Sequence, residues 1–264
     1  IYIIMKKVIS FSLWGSIKIY CIGVIKNALL ANKIFSDWIV YIYYDITVPK
    51  IVIEYLEKMQ NVELKFIDTP SGSKKWMEPG QFGMFWKFLP FDDNNVEIWM
   101  ARDADSRISK YEKEKIDYFM QSDNLIHSFI FNNKYKKLRG GTVSFKNFSQ
   151  NKDNRDGINI SKLINEYVVD KEKTPFYCDE RFLNTVLYPK YANSYSCDTQ
   201  CHDITKLENK NMIVNSTSCH DLDVKYVGRV VDEYDNLCHK DTNNWYNYNY
   251  DDLYAILDEF KNKI

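Results

Sequence analysis

The sequence predicts an α/β fold in which a mixed, mainly parallel sheet is flanked by helices. In the first seventy residues, short apolar runs rich in β-branched and aromatic residues alternate with segments whose apolar residues recur at helical spacing. This gives the order β-α-β-α-β, which is typical of parallel sheets with helical crossovers. No Pro/Ser/Gly-rich stretch divides the chain, so we expect a single domain over residues 1–264.

Each element follows from a local pattern. We expect strands at Val8–Leu13, Trp38–Tyr43, Val62–Ile67, Val96–Ala101, Leu125–Phe131 and Thr142–Phe145. We expect helices at Ile17–Lys33, from Pro49 to about Met59, at Phe85–Phe91 with a stop at Pro90, from Ser109 to about Gln121, and at Ile158–Val168, Asp179–Leu187 and Asp251–Lys261. Ser109 and Glu112 have the spacing of a capping box. Between residues 190 and 245 only Val224–Val227 has strand character.

Charge and composition exclude several classes of protein. The formal net charge is −1, so there is no basic footprint for nucleic acid or for anionic lipid. Hydrophobic residues make up 45% of the chain, which is enough for a substantial core. No secretory signal pattern and no apolar run of roughly 18 to 20 residues is present, so we expect a cytoplasmic protein with reduced thiols, in the host cell if the source is viral.

The cysteines and histidines allow one alternative site. Three of the four histidines directly follow a cysteine, in the pairs Cys201-His202, Cys219-His220 and Cys238-His239. A structural zinc site is therefore conceivable, although no Cys-x-x-Cys pair exists. Neighbouring residues in an extended strand point to opposite faces, which disfavours both members of a pair binding one metal.

The strongest chemical signal is an Asp-x-Asp pair that directly follows a buried strand. Asp103 and Asp105 are two residues apart, so both carboxylates reach one side if the strand geometry continues. Ligands of open α/β sheets bind beyond the carboxyl ends of the strands. A hard cation such as Mg²⁺ or Mn²⁺ binds carboxylate and phosphate oxygens together. The alternative is that Asp103 caps a helix and Asp105 is a solvated surface charge.

Several motifs in this order resemble a group of bacterial and viral GT-A-type glycosyltransferase-like proteins. The resemblance covers roughly residues 6–202 and rests on the segments Ser12-Leu13-Trp14-Gly15 with Tyr20, Gly23 and Asn27; Phe85-Trp86-Lys87-Phe88-Leu89-Pro90; RDADSR at Arg102–Arg107; His127; Gly140-Gly141; and Asp179-Glu180-Arg181-Phe182-Leu183 with Tyr188-Pro189. It implies a GT-A-like fold with a nucleotide-binding part at about 6–107 and an acceptor and sugar part at about 108–264.

The resemblance also implies roles for individual residues. Asp103 and Asp105 would hold the metal and the donor diphosphate, and Lys87, where the pattern has Arg, would stabilise donor phosphate. From their positions on either side of the pair, Arg102 and Arg107 would pair with the aspartates or contact phosphate. The remaining donor contacts implied are Ser12, Leu13 and Trp14 at the nucleoside, and Gly140 and Gly141 at the transferred sugar.

The second half of the chain supplies the remaining implied groups. Asp179 would bind sugar hydroxyls or act as a base, and Glu180, where the pattern has Gln, would be a general base of an inverting reaction or shift donor preference. His202 is the preferred third metal ligand, with His220 and His239 as alternatives. Retention and inversion both stay open.

We therefore expect a metal-dependent glycosyltransferase that moves a sugar from a nucleoside diphosphate donor, in particular a UDP-sugar, to a glycan or glycoprotein acceptor. One alternative is a catalytically weak binding protein of the same shape. Another is a haloacid-dehalogenase-like phosphohydrolase, whose Asp-x-Asp pair follows the first strand rather than about the fourth. A zinc-stabilised interaction module is the last.

Overall fold

The computed structural model describes residues 5–68, 82–130, 137–147, 158–169, 177–199, 213–216, 230–236 and 253–263. Within these ranges eight strands form one sheet in the order β3-β2-β1-β4-β6-β5-β7-β8. The strands are β1 Lys6–Leu13, β2 Ile39–Tyr44, β3 Val62–Phe66, β4 Val96–Arg102, β5 Ile126–Ile130, β6 Val143–Lys146, β7 Tyr195–Thr199 and β8 Ile213–Ser216. Only β6 runs antiparallel to its two neighbours, β4 and β5.

Helices cover both faces of the sheet. They are α1 Lys18–Ile34, α2 Lys50–Leu56, a 3₁₀ helix at Phe82–Asp92, α3 Lys110–Gln121, α4 Ile160–Val169, α5 Cys178–Phe182, α6 Tyr188–Tyr191 and α7 Leu253–Lys263. A π-helical turn, Leu183–Leu187, joins α5 to α6. Among the described helices, none combines the length and the apolar character that crossing a membrane requires.

Alternation along the strands divides the core into two layers. On β1, Ile9 and Phe11 pack with α1, α2, α3 and α7, whereas Val8 packs on the opposite face with the 3₁₀ helix and α4. On β4 the same period of two sends Met100 to the first layer and Trp99 to the second. The alternation therefore decides on which face of the sheet each side chain of β1 and β4 lies.

The predicted fold class, a mixed, mainly parallel sheet flanked by helices, is confirmed. The capping box is also present: the Ser109 hydroxyl accepts a hydrogen bond from the Glu112 backbone N–H at 3.2 Å. The predicted stop at Pro90 is wrong, because the 3₁₀ helix contains this residue and ends at Asp92. The fixed φ of proline suits 3₁₀ geometry. The strands β7 and β8 lie where no element was predicted, and Val224–Val227 lies outside the described residues.

Candidate functional site

The carboxyl ends of β1 and β4 define the site. These strands are parallel neighbours with Phe11 opposite Arg102, so the residues that follow them emerge side by side. The chain leaves β1 toward β2 on one side, whereas β4 lies on the other side. Such a reversal of strand order opens a crevice at the carboxyl edge, where open α/β sheets bind their ligands.

The loop after β4 is held against α1. The strand ends at Arg102, and a turn from Asp103 is closed by the Ser106 backbone N–H, which donates to the Asp103 carbonyl at 3.3 Å. The expected continuation of strand geometry through Asp105 is therefore not observed. A Cβ on Gly23 of α1 would lie 2.1 Å from the Ala104 carbonyl oxygen, so only glycine lets the loop dock this closely.

Asn27, one turn after Gly23, completes this attachment. Its Nδ2 donates to the Ser106 carbonyl at 2.7 Å, and its Oδ1 accepts from the Ile108 backbone N–H at 3.1 Å. Asn27 is 1% exposed. Gly23 and Asn27 lie four residues apart on one helix face, which is the spacing that brings both to the same loop.

Lys87 lies between two carboxylates from distant parts of the chain. Its Nζ is 2.6 Å from Asp103 Oδ1 and 3.0 Å from Asp179 Oδ2. The backbone N–H of Lys87 donates to Ser12 Oγ at 2.8 Å, which ties the 3₁₀ helix to the end of β1. The Lys87 side chain is 6% exposed. Burial lowers its pKa, but the two carboxylates more than offset this and raise the pKa above the usual range.

The Gly140-Gly141 turn covers the same two carboxylates. A Cβ on Gly141 would lie 2.0 Å from Asp103 Oδ2, and one on Gly140 would lie 2.2 Å from Asp179 Oδ2. The Gly141 carbonyl accepts from the buried Arg102 guanidinium at 2.8 Å. The turn is therefore built of glycine because the carboxylates occupy the space of both side chains.

The two aspartates of the pair have opposite pKa shifts. Desolvation raises the pKa of Asp105 to about 7, and the charge of Asp103 adds to this effect. Desolvation also opposes ionisation of Asp103, but the Lys87 ammonium, with Arg102 and Arg139 beyond it, holds the pKa of Asp103 below its usual range. The loop thus carries one well-stabilised carboxylate and a second whose charge Lys87 and Arg107 offset only in part.

Asp179 and Glu180 lie in the first turn of helix α5 and approach the site from the second half of the chain. Asp179 Oδ1 accepts from the Glu180 backbone N–H at 2.8 Å. Glu180 Oε1 is 3.4 Å from Nε of Arg139, just before the glycine turn. Tyr177 precedes them with a φ of 70°, a left-handed conformation that a bulky side chain rarely adopts. The structure thus brings Asp179 to Asp103 through their shared contact with Lys87.

The other predicted donor contacts, Leu13, Trp14 and Arg107, lie in three different environments. Trp14 packs edge to face on Trp86 at a centroid distance of 6.1 Å, beside the crevice. Leu13 is 1% exposed and belongs to the core layer that faces α1, so its side chain offers no surface to a ligand. Arg107 donates to the Ala104 and Ser106 carbonyls and pairs with Asp235.

Two further expectations concern metal ligands and Arg102. His202, His220 and His239 lie outside the described residues, as do the Cys-His pairs. Among the residues that the structure describes, no group of three or more His, Cys, Asp or Glu side chains could hold a metal ion. Arg102 does not pair with the aspartates as proposed from the sequence: it is buried, and its Nε lies 3.2 Å from Glu112 Oε1.

Sequence reasoning missed Arg102 as a support of the glycine turn, and it missed Asp235 altogether. The apolar context of Arg102, at the end of a buried strand and ten residues before Glu112, was the available signal for a buried ion pair. No comparable signal exists for Asp235, which is 128 residues from its partner Arg107.

Comparisons with known proteins give loose structural likenesses only. No protein-family model and no curated protein matches the chain. Residues 1–349 of TarS from S. aureus align with a TM-score of 0.45 and 15% identity, over 73% of this chain and 58% of that one. The galactosyltransferase LgtC, solved with donor and acceptor sugar analogues, aligns with a TM-score of 0.47 and 10% identity, over 97% of this chain and 95% of that one.

A structure from a different class of enzyme aligns comparably. The 4-diphosphocytidyl-2C-methyl-D-erythritol synthase of Anaerococcus prevotii has a TM-score of 0.41 and 9% identity, over 83% of this chain and 92% of its own. All three TM-scores are below 0.5, and this chain spans little more than half of the TarS fragment.

Proposed function

We propose that the chain is a metal-dependent glycosyltransferase of the GT-A type that moves a sugar from a nucleoside diphosphate donor, in particular a UDP-sugar, to a glycan or glycoprotein acceptor. The observation that carries this proposal is the cluster at the β1/β4 crevice. There Asp103 and Asp105 follow the end of β4, and Lys87 contacts both Asp103 and Asp179. A cluster of fixed charges at this edge suits a ligand that carries both phosphate and sugar hydroxyls.

The electrostatics of the Asp-x-Asp loop fit a divalent cation. Desolvation and the charge of Asp103 raise the pKa of Asp105 to about 7, and a bound cation would relieve both effects. We assign Mn²⁺ or Mg²⁺ to Asp103 and Asp105, with His202 as the proposed further ligand. Such an ion supplies charge neutralisation for a diphosphate leaving group.

The chain's own residues supply positioning and proton handling. We assign Lys87, whose buried ammonium lies 2.6 Å from Asp103 Oδ1, to stabilisation of the donor phosphates. Both carboxylate oxygens of Asp179 already accept bonds, so we assign this residue to hydrogen bonding with sugar hydroxyls. Glu180 is our candidate for the group that removes the acceptor proton in an inverting reaction; in a retaining reaction it would contact the donor instead.

The two parts of the chain have different proposed tasks. We assign nucleotide binding to about residues 6–107, with Ser12 and Trp14 beside the nucleoside, and acceptor and sugar binding to about residues 108–264. We also assign Gly140 and Gly141 to backbone contacts with the transferred sugar. The position of the aspartate pair after the fourth strand disfavours the phosphohydrolase alternative, in which such a pair follows the first strand.

The test is a thermal-shift screen of nucleoside diphosphates and nucleotide-sugars, with and without Mn²⁺. A ligand that binds only the folded state raises the melting temperature by mass action. We expect one nucleotide to give an Mn²⁺-dependent shift in the wild type and none in Asp105→Ala. The control is Asp37→Ala, which removes a surface ion pair with Lys7 and should keep the full shift.

Donor hydrolysis in the absence of acceptor then separates an enzyme from a binding protein. We expect slow, Mn²⁺-dependent release of sugar from the donor that binds. A metal-dependent thermal shift without any hydrolysis would favour a binding protein of the same shape. Full turnover by Asp105→Ala would refute the proposed mechanism.

A further inference from the structure

A short segment from the C-terminal part of the chain, here called the strap, comprises residues 230–236. Hydrogen bonds within the segment hold it together as a loop. Asp232 Oδ1 accepts from the backbone N–H groups of Tyr234 and Asn236 at 2.9 and 2.8 Å. Asp235 has a φ of 67°, a left-handed conformation that Asp and Asn tolerate better than most residues. The strap therefore presents the Asp235 carboxylate from a defined backbone.

The strap is bonded directly to the Asp-x-Asp loop. The Val231 backbone N–H donates to the carbonyl oxygen of Asp105 at 2.8 Å. In the other direction, the Arg107 guanidinium donates to Asp235 Oδ1 through Nε at 2.8 Å and to the Asp232 carbonyl at 3.0 Å. The strap therefore hydrogen-bonds to two residues, Asp105 and Arg107, of the loop that carries the proposed metal ligands.

Asp235 joins this contact to helix α1. Its second carboxylate oxygen, Oδ2, lies 2.7 Å from Nζ of Lys26, whose side chain is 3% exposed. Arg107 in turn donates from Nη1 to the carbonyl oxygens of Ala104 at 3.1 Å and Ser106 at 3.0 Å. The Asp235 carboxylate therefore bridges Lys26 of α1 and Arg107 of the Asp-x-Asp loop. Arg107 also hydrogen-bonds to the main chain of this loop.

Of the three charged residues Lys26, Arg107 and Asp235, only Asp235 is an anion, so it stabilises both of the others. Burial lowers the pKa of Lys26, and Arg107 contributes in the same direction, whereas Asp235 opposes both effects. Arg107 pairs with the same carboxylate, and its own side chain is 14% exposed. Without this carboxylate two desolvated cations would repel one another, and Nε of Arg107 would lose its anchor.

We propose that Asp235 is a positioning residue for the cation site: through Arg107 and Lys26 it fixes the main chain of residues 104–107, and so the carboxylate of Asp105. This inference rests on the proposed function for the cation itself. The attachment of the loop by the strap is a separate statement and can be measured without metal. Groups that orient metal ligands typically change metal affinity by about 10- to 100-fold when they are removed.

The experiment compares the wild type with Asp235→Asn, which keeps the left-handed backbone and the size of the side chain but removes its charge. The matched control is Asp37→Asn, which removes one carboxylate from an ion pair with Lys7. Two quantities are measured well below the melting temperature: the dissociation constant for Mn²⁺ by calorimetry, and the hydrogen-exchange rates of backbone amides in residues 103–108 without metal.

We expect Asp235→Asn to weaken Mn²⁺ binding by about tenfold or more and to speed exchange in residues 103–108, with Asp37→Asn unchanged in both. A purely structural role would lower the melting temperature and leave the Mn²⁺ affinity of the folded protein as it was. Mn²⁺ affinity within twofold of the wild type, in a folded Asp235→Asn protein, would overturn the inference.

Two further outcomes are also decisive. If the wild type binds no Mn²⁺, the proposed function fails, and unchanged exchange in Asp235→Asn would then refute the attachment by the strap as well. If Asp235→Asn does not fold, Lys26→Met serves as the second variant, because it unties Asp235 from α1 and keeps the pair with Arg107. Lys26→Met should also weaken Mn²⁺ binding and speed hydrogen exchange in residues 103–108. Wild-type values of both quantities would count against the inference.

Discussion

At the scale of single residues, the site is organised by the unequal environments of two neighbouring carboxylates. Asp103 has the Lys87 ammonium at 2.6 Å, whereas Asp105 is desolvated next to a negative charge. Asp105 is therefore the less stabilised of the two carboxylates, because Lys87 and Arg107 offset its desolvation only in part. Such an arrangement costs stability in the free protein and is relieved by a bound cation or by a proton.

This difference predicts a pH-dependent stability. The pKa of Asp105 in the folded protein is about 7, above the ordinary aspartate value, so the folded state holds more protons than the unfolded state between about pH 4 and pH 7. The free energy of unfolding must then fall as the pH rises through this window. We expect metal-free Asp105→Asn to melt about 3 to 6 °C above the wild type at pH 8, with little difference near pH 4.

Melting curves in EDTA at several pH values make this measurement. Asp103→Asn is the paired control with the opposite sign, because it removes a partner of Lys87 and should melt below the wild type at pH 8. An Asp105→Asn difference that is the same at pH 4 and pH 8 would show that the Asp105 pKa is not raised.

At the scale of elements, the Gly140-Gly141 turn between β5 and β6 sets how closely its own main chain approaches the carboxylates of Asp103 and Asp179. The Cβ of an alanine at position 141 would meet both oxygens of Asp103, at 2.0 and 2.9 Å. At position 140 it would meet Asp179 instead, at 2.2 Å from Oδ2. In each case the obstacle is the end of a side chain, which can move, so the fold survives while the carboxylate is displaced.

We therefore expect Gly141→Ala to weaken Mn²⁺ binding by about tenfold and to melt within a few degrees of the wild type, since a misplaced ligand costs affinity more than stability. Gly140→Ala should spare Mn²⁺ binding and reduce turnover instead, because it moves Asp179. Calorimetric titration and a donor hydrolysis assay separate the two. Equal effects of both variants on metal affinity would contradict this division.

The elements that the sequence predicts well are those whose signals are local. The strands and helices up to β4 have the alternation and spacing that their burial requires, and they appear within a few residues of the predicted bounds. The placement of Asp103 and Asp105 at the carboxyl edge of the sheet was predictable because both residues lie close to the end of one strand. Asp235 was not, because its contacts with Lys26 and Arg107 span 209 and 128 residues. The strands β7 and β8 are short and have no clear flanking turn signals.

At the scale of the whole molecule, the sheet has two halves that meet at one strand pair. The half β3-β2-β1-β4 contacts the half β6-β5-β7-β8 through the antiparallel pairing of β4 with β6. Trp99 of β4 secures this junction. It is fully buried, stacks on Phe145 of β6 at 4.9 Å and donates from Nε1 to Asn147 Oδ1 at 3.0 Å.

We expect Trp99→Ala to destabilise the protein by about 4 kcal/mol, as large core truncations do, and to separate the unfolding of the two halves. Urea unfolding followed by far-UV circular dichroism should show one transition in the wild type and two in the variant. Trp38→Ala is the control, since Trp38 is equally buried but lies in the other core layer, away from the β4–β6 junction. It should lower stability comparably and keep a single transition.

The position of β6 also affects the nascent chain during translation. The strands β1 to β4 are mutual neighbours and are complete once residue 102 has left the ribosome, but the strand that covers the free edge of β4 begins only at Val143. At ordinary rates of synthesis the interval of about 40 residues lasts roughly 2 to 8 s. For that time a half-sheet exposes an unpaired edge that carries Trp99, which makes it a target for chaperones and for aggregation on the polysome.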